Sequence, residues 1–243
     1  MSTMELKKEG TVFVLSLTNG AQANTITDDV IAEYNAALDE VEAAPGNAAL
    51  VVTSSDPKYW SNGIDREWLM TRPPDYLTQL ASSLDRLYLR LALLNTPTVG
   101  CLTGHVYAAG AILATTLDFR FMRADRGFFC YPEVDINIPF TPIIHRIVDL
   151  MLPDRQAICE LVLTGKRVGG EEALKMKIVS AIYPAETLFP ETMKIARFLA
   201  GKDRKMYTKL KRDMRIELVR LQQNLPDMQG LFSAQAVPIC GIA

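Results

Sequence analysis

Histidine is almost absent from this chain: His105 and His145 are the only two in 243 residues. Two are too few for a histidine-rich metal set, and neither stands in a motif that marks a Ser-His-Asp triad. The four cysteines, Cys101, Cys130, Cys159 and Cys240, stand far apart and form neither a metal-ligand spacing nor a disulfide framework. Cys101, Cys130 and Cys159 lie among apolar residues and read as small buried hydrophobes, which suits a reducing, cytoplasmic setting. Neither sign of charge is in excess, with a formal net charge of -2. No basic field therefore points to nucleic acid or to an anionic membrane. The longest apolar stretch, 98–117, is interrupted by Gly100, Gly104, His105 and several threonines, too broken for a membrane span. The first residues carry no apolar signal core, and Ile239 to Ala243 is not a Ser-Lys-Leu address. Internal repeats, low-complexity segments and long linkers are also lacking.

What is present is ordinary globular composition, 49% hydrophobic and 22% charged, at a length that supports one large core. Residues 11–18 alternate and are rich in Val, Phe and Leu, so they read as a strand closed by the Asn19-Gly20 turn. Thr27 is placed to cap a helix over 27–44, with Asp28 and Asp29 in its first turn and Val30, Ile31, Tyr34, Leu38 and Val41 at helical spacing. Pro45-Gly46 stops it. Residues 48–53 form a second strand, apolar on both faces as a parallel strand would be. Leucines at 77, 80, 84, 87, 91 and 94 predict a helix over 76–94. A strand at 98–102, a helix at 109–117 and a short strand at 119–122 follow. Helices are expected at 142–150, 155–163 and 169–177, then a strand at 178–183. From 185 to about 223 the chain reads as helical and strongly charged, and the tail after Pro226 has no clear signal. Strand and helix in alternation, then helices, argue for α/β with a largely parallel inner sheet. The expected division is a core over 1–184 and a helical C-terminal region over 185–243.

Two loop-to-helix junctions follow apolar strands. One is Asn62-Gly63-Ile64-Asp65; the other is Tyr107-Ala108-Ala109-Gly110. In a parallel sheet, ligands bind at the carboxyl ends of strands. Small residues let a ligand approach the backbone, and the first amides of a helix have no intrahelical partner. Two N–H donors converging from two such loops would make an oxyanion hole. Tight core packing is the competing explanation for the small residues.

Residues 60–65 resemble the Phe-Ser-x-Gly-x-Asp motif of the crotonase (enoyl-CoA hydratase/isomerase) family. Residues 104–118 resemble its Gly-x-x-x-Gly-Gly-Gly-x-x-Leu-Ala-x-x-x-Asp segment, with alanine at two glycines. Ala23-Asn24 is similar to its first βα turn, and 163–179 to its Leu-Thr-Gly-Arg…Glu-Ala…Gly-Leu-Val segment. The resemblance runs from about residue 6 to 210. It implies a ββα spiral core with a C-terminal helical assembly region, and a homotrimer or dimer of trimers. It also implies an acyl-CoA thioester as ligand, with CoA as part of the substrate and no separate cofactor or metal. Carried over by position, the Ile64 and Ala109 N–H groups hold the thioester oxygen, and Ala23, Asn62, Gly63, Ala108, Gly110 and Ile112 line the substrate.

The informative departure is at Ile112. Hydratases of the family place a water between two glutamates, one matching position 112 and the other Glu133. Isoleucine cannot transfer a proton or hold a water, whereas Glu133 remains. One carboxylate beside an oxyanion hole suits a Δ3,Δ2-enoyl-CoA isomerase, which moves a proton from C2 to C4. Phe128, Phe129, Tyr131 and Ile136 around Glu133 are expected to raise its pKa. The alternatives are another acyl-CoA reaction on this scaffold (hydrolase, decarboxylase, weak hydratase) or a non-catalytic acyl-CoA-binding homologue. Asp135, two residues on in an extended segment, would point the same way as Glu133 and is the rival base. Asp65 reads as a helix cap, Asp118 as the anchor of a helix end, and both histidines as structural. Lys58 and Arg66 could meet CoA phosphates or be solvated charge. The basic run 202–215, with Met206, Leu210 and Met214, reads as an amphipathic assembly helix that could lend a lysine to a neighbour's CoA.

Overall fold

The computed structural model describes residues 2–225. It opens with an antiparallel hairpin of β1 (Met4–Glu9) and β2 (Val12–Leu17), turned at Gly10. From there a large sheet is built in the order β1-β2-β3-β5-β7-β9, parallel throughout except for the first pair. Its later strands are β3 (Ala49–Ser54), β5 (Thr98–Leu102), β7 (Phe119–Arg123) and β9 (Ala181–Tyr183). A small, wholly parallel sheet holds β4 (Tyr59–Ser61), β6 (His105–Tyr107) and β8 (Phe129–Cys130).

The two sheets grow together. Each of β3, β5 and β7 is followed by one strand of the small sheet and then by helix. Strands β3 and β4 lead to α2 (Arg66–Met70) and α3 (Tyr76–Ala92), and β5 and β6 lead to α4 (Ala109–Thr116). Strands β7 and β8 lead to α5 (Pro142–Met151), α6 (Arg155–Thr164) and α7 (Gly170–Lys175). The first turn has a single strand, β2, before α1 (Asp28–Ala43), though Ile26 bridges to Ile64 beside the small sheet. This is the ββα spiral that the resemblance implies.

Strand β3 is buried along its whole length because both faces of the large sheet are covered. Leu50 and Val52 join Phe13 and Leu15 in the main core with α1, α3 and α4. Ala49 and Val51 face the other way with Val12, Val14, Val99 and Cys101. There they meet Leu188, Met193, Ala196 and Leu199 of α8 (Ala185–Ala200). Helices α9 (Arg204–Met214) and α10 (Ile216–Gln223) complete the described chain. No helix among the described residues is long and apolar enough to cross a membrane.

Several expectations change. The helical stretch from 185 to 223 divides into three helices, broken at 201–203 and at Arg215. The strand expected at 178–183 is only Ala181–Tyr183, because Ile178 N–H turns back to Ala173 O after α7. Strand β1 carries Glu5, Lys7, Lys8 and Glu9 on an exposed edge, which suppresses an apolar signal while guarding against edge pairing. Cys159 is half-buried rather than buried, unlike Cys101 and Cys130. Cys240 and the tail after Pro226 lie outside the described residues.

Candidate active site

The small sheet gathers the site. Its three parallel strands end side by side, and each hands over one chemical element at its carboxyl end. After β4 comes Asn62-Gly63-Ile64, after β6 Ala108-Ala109, and after β8 Tyr131-Pro132-Glu133.

The first arm is braced by the turn before α1. Asn62 N–H donates to Ala23 O at 3.0 Å, Ile26 N–H to Gly63 O at 2.8 Å and Asp65 N–H to Ile26 O at 3.0 Å. Ser61 Oγ donates to Asn24 O at 2.9 Å. Asp65 caps α2 as expected, accepting from Trp68 N–H at 2.9 Å. Ala23 therefore supports this arm through its carbonyl, and its φ of 53° lets the chain turn there. Asn62 is exposed, Gly63 buried and Ile64 half-buried.

The second arm closes onto the first. A Cβ on Gly63, whose φ is +83°, would lie 2.9 Å from the Ala108 Cβ and 3.1 Å from the Ala109 nitrogen. A Cβ on Gly110 would lie 2.7 Å from Ser61 O. Both positions need glycine because backbone meets backbone there. Ala108 adopts φ 51°, ψ -128° before the first residue of α4. That conformation is strained for an L residue and costs about 1–3 kcal/mol. Among the described residues, neither the Ile64 nor the Ala109 N–H donates to another backbone carbonyl. The Ala109 amide is free because it opens a helix, at the positive end of the helix dipole. Ile112, one turn on along α4, is buried and apolar.

The third arm presents the carboxyl group. Glu133 Oε2 is buried and has no hydrogen-bond partner. Burial pushes the Glu133 pKa up to about 7, against the opposing pull of its own backbone N–H. Tyr131 beneath it is fully buried, bonded to the Thr115 hydroxyl and packed edge-on against Phe129 and Phe140. The extended segment expected through Asp135 is instead a turn. Asp135 N–H and Ile136 N–H both return to Pro132 O, at 2.8 and 3.1 Å, and Ile138 N–H to Glu133 O at 3.1 Å. Asp135 is consequently exposed and faces away, its carboxylate pressed against Gly165 at the end of α6.

Other candidates stand apart. His105 is packed against Tyr59 and Phe128, and His145 against Phe140. Lys58 lies over the Tyr59 ring, and Arg66 is exposed at the start of α2. Asp118 does more than end a helix. It is buried, accepts from Thr98 N–H and Lys211 Nζ, each at 2.9 Å, and pairs with Arg215 at 2.7 Å. Burial would raise its pKa, but Lys211 and Arg215 hold it below the usual carboxylate value. Lys211 is thus turned into the core, while Lys205 and Lys209 of the basic run on α9 are exposed and Arg212 is half-buried.

Sequence reasoning missed two residues on α3. Tyr88 Oη donates to Ala109 O at 3.2 Å, and Asp85 accepts from Thr141 Oγ1 at 2.8 Å. Both are fully buried. The available signal was a second stripe on α3, Ala81-Asp85-Tyr88-Ala92, beside the leucine stripe.

The model of the enoyl-CoA hydratase/isomerase family matches residues 7–234. The chain is 34% identical over 187 residues to the peroxisomal enoyl-CoA delta isomerase 2 of Arabidopsis thaliana, covering 74% of this chain and 78% of that one. It is 30% identical over 223 residues to enoyl-CoA delta isomerase 3 of the same plant, covering 89% and 93%. Among solved structures it is similar to an enoyl-CoA hydratase/isomerase family protein from Pseudomonas syringae. That pair has a TM-score of 0.85 and 23% identity, covering 94% and 97% of the two chains.

Proposed function

Since the chain belongs to the enoyl-CoA hydratase/isomerase family, we propose that it is a Δ3,Δ2-enoyl-CoA isomerase. The observation that carries this reading is one carboxyl at the ends of the small-sheet strands, Glu133, whose Oε2 is buried without a partner, with apolar Ile112 where a second acid would have to stand. Two relatives whose names are enoyl-CoA delta isomerases support the same branch. The Glu133 carboxylate removes a proton from C2 of a 3-enoyl thioester. The electron pair moves onto the thioester oxygen, where the Ile64 and Ala109 N–H groups stabilise the enolate. Glu133 then returns the proton to C4, leaving the conjugated 2-enoyl thioester. No water is consumed, so the lack of a water-placing group at 112 costs nothing. Ala23, Asn62, Gly63, Ala108, Gly110 and Ile112 form the proposed surround of the acyl thioester. We also propose that the protein assembles as a trimer or a dimer of trimers through its C-terminal helices.

The test is isomerisation of a 3-enoyl-CoA, followed by absorbance of the conjugated product, for wild type and Glu133→Gln. The variant should lose about 10²–10⁴-fold in kcat and keep its affinity for a saturated acyl-CoA. Retained turnover in the variant would move the base elsewhere. A wild type that binds acyl-CoA but does not isomerise it would sink the isomerase reading.

A further inference from the structure

Helix α3 reaches both halves of the site within one helical turn. Asp85 and Tyr88 are three residues apart on the same helix face, and both are fully buried. Tyr88 Oη holds the carbonyl of Ala109, the residue whose amide opens α4. Asp85 Oδ1 holds the hydroxyl of Thr141, which itself accepts from Ile144 N–H at 3.1 Å and so caps α5. Thr141 is the residue at which the Glu133-bearing segment ends. We propose that Asp85 and Tyr88 are a positioning pair: α3 clamps the oxyanion helix with one and the Glu133 segment with the other, fixing the distance between base and amides. The kinetic consequence of this inference rests on the isomerase reading; the clamp itself does not.

Packing alone does not call for an aspartate at position 85. Its neighbours on the stripe, Ala81, Tyr88 and Ala92, carry no charge for it to pair with. Instead the site holds a carboxyl whose Oδ2 is buried and unpartnered. Such a group costs stability relative to an apolar one. No cation pairs with Asp85 among the described residues, and the groups that face it are the Thr141 hydroxyl and Tyr88. Burial raises its pKa to about 7 against the pull of the Thr141 hydroxyl. Both protonation states of Asp85 can accept from Thr141, so the anchor survives across neutral pH. The charges of both Asp85 and Glu133 add to the burial that raises the Tyr88 pKa.

The experiment compares Asp85→Leu with Asp85→Asn, whose amide oxygen can still accept from Thr141. It reads isomerase kinetics and hydrogen–deuterium exchange over 131–141. Asp85→Leu should lower kcat about tenfold through misplacement of the base, leave KM within about twofold, and raise exchange over 131–141. Asp85→Asn should restore kcat and protection. Unchanged kcat or unchanged exchange in Asp85→Leu would overturn the clamp. So would an Asp85→Asn variant as impaired as Asp85→Leu, because then the anchor is not what matters. If Asp85→Leu does not fold, Thr141→Val set against Thr141→Ser makes the same comparison from the other side of the bond. A wild type that fails to isomerise would sink the functional reading alone; the exchange contrast would then decide the clamp.

Discussion

At Glu133 one burial event bears on both the proposed activity and the stability. Its pKa of about 7 comes from burial with no cation to offset it. As the proposed base it must be ionised, so kcat/KM should rise about tenfold per pH unit below pH 7 and level off above it. A profile measured from pH 5 to 8.5 checks this; a flat profile would remove Glu133 from the proton transfer. The linkage to stability has the opposite sign. The unfolded carboxyl ionises near 4.5, the folded one near 7. Between those values the folded state holds a proton that the unfolded state has released. The contribution is fully present below pH 4.5 and is lost as the pH rises through 7. The proposed base therefore becomes available over the interval in which this carboxyl stops favouring the fold. Glu133→Gln should lack that component of the pH dependence of unfolding. At Ala108 the strain of a positive φ is retained beside the Ala109 amide, another local cost located at the site.

Helix α9 is tied to the core by ions rather than by an apolar face. The Asp118 carboxylate, with 5% of its side chain exposed, meets Lys211 at 3% and Arg215 at 12%. Asp118→Ala would leave two cations buried without their partner, and should cost about 3–5 kcal/mol in equilibrium unfolding. Adding Lys211→Met should recover part of that loss; full additivity of the two changes would mean that the pair is not coupled. This cluster also shows where sequence reading runs out. Lys211 lies in a run of lysines and arginines that periodicity assigns to solvent, and only its partner, 93 residues away in the chain, turns it inward. The large-sheet strands were legible from β3 and β5, because burial on both faces leaves continuous apolar runs. The small-sheet strands were not, since two or three residues carry no period. Those strands nevertheless converge the site. The candidate residues were therefore read from motif resemblance, while the geometry between Gly63, Ala109 and Glu133 was not readable. The turn at 133–137 was missed for a related reason. It is made by backbone bonds to Pro132 O, and alternation of side chains along the segment gives no sign of them.

At the scale of the whole molecule, apolar exposure is uneven. Five of the eleven exposed large hydrophobic residues among those described, Phe198, Met206, Leu210, Met214 and Ile216, lie within 198–216. Met206, Leu210 and Met214 repeat every four residues along α9 at 55%, 56% and 81% exposure, so they form one stripe. The same helix turns Lys211 inward to Asp118, which fixes its rotation and holds the stripe outward. A polar-looking helix thus anchors itself through charge and offers its apolar residues to something else. Contiguous apolar exposure of this kind marks an interaction surface, and the proposed assembly of identical chains would cover it. Leu210→Lys with Met214→Lys should then shift wild-type oligomers toward monomer in size-exclusion chromatography with light scattering, without lowering the unfolding midpoint of the monomer. Each lysine would remove apolar contact and add like charge at every copy of the interface. A wild type that is monomeric at micromolar concentration would refute the assembly proposal. Oligomers that survive both substitutions would show that a surface other than the α9 stripe holds them together.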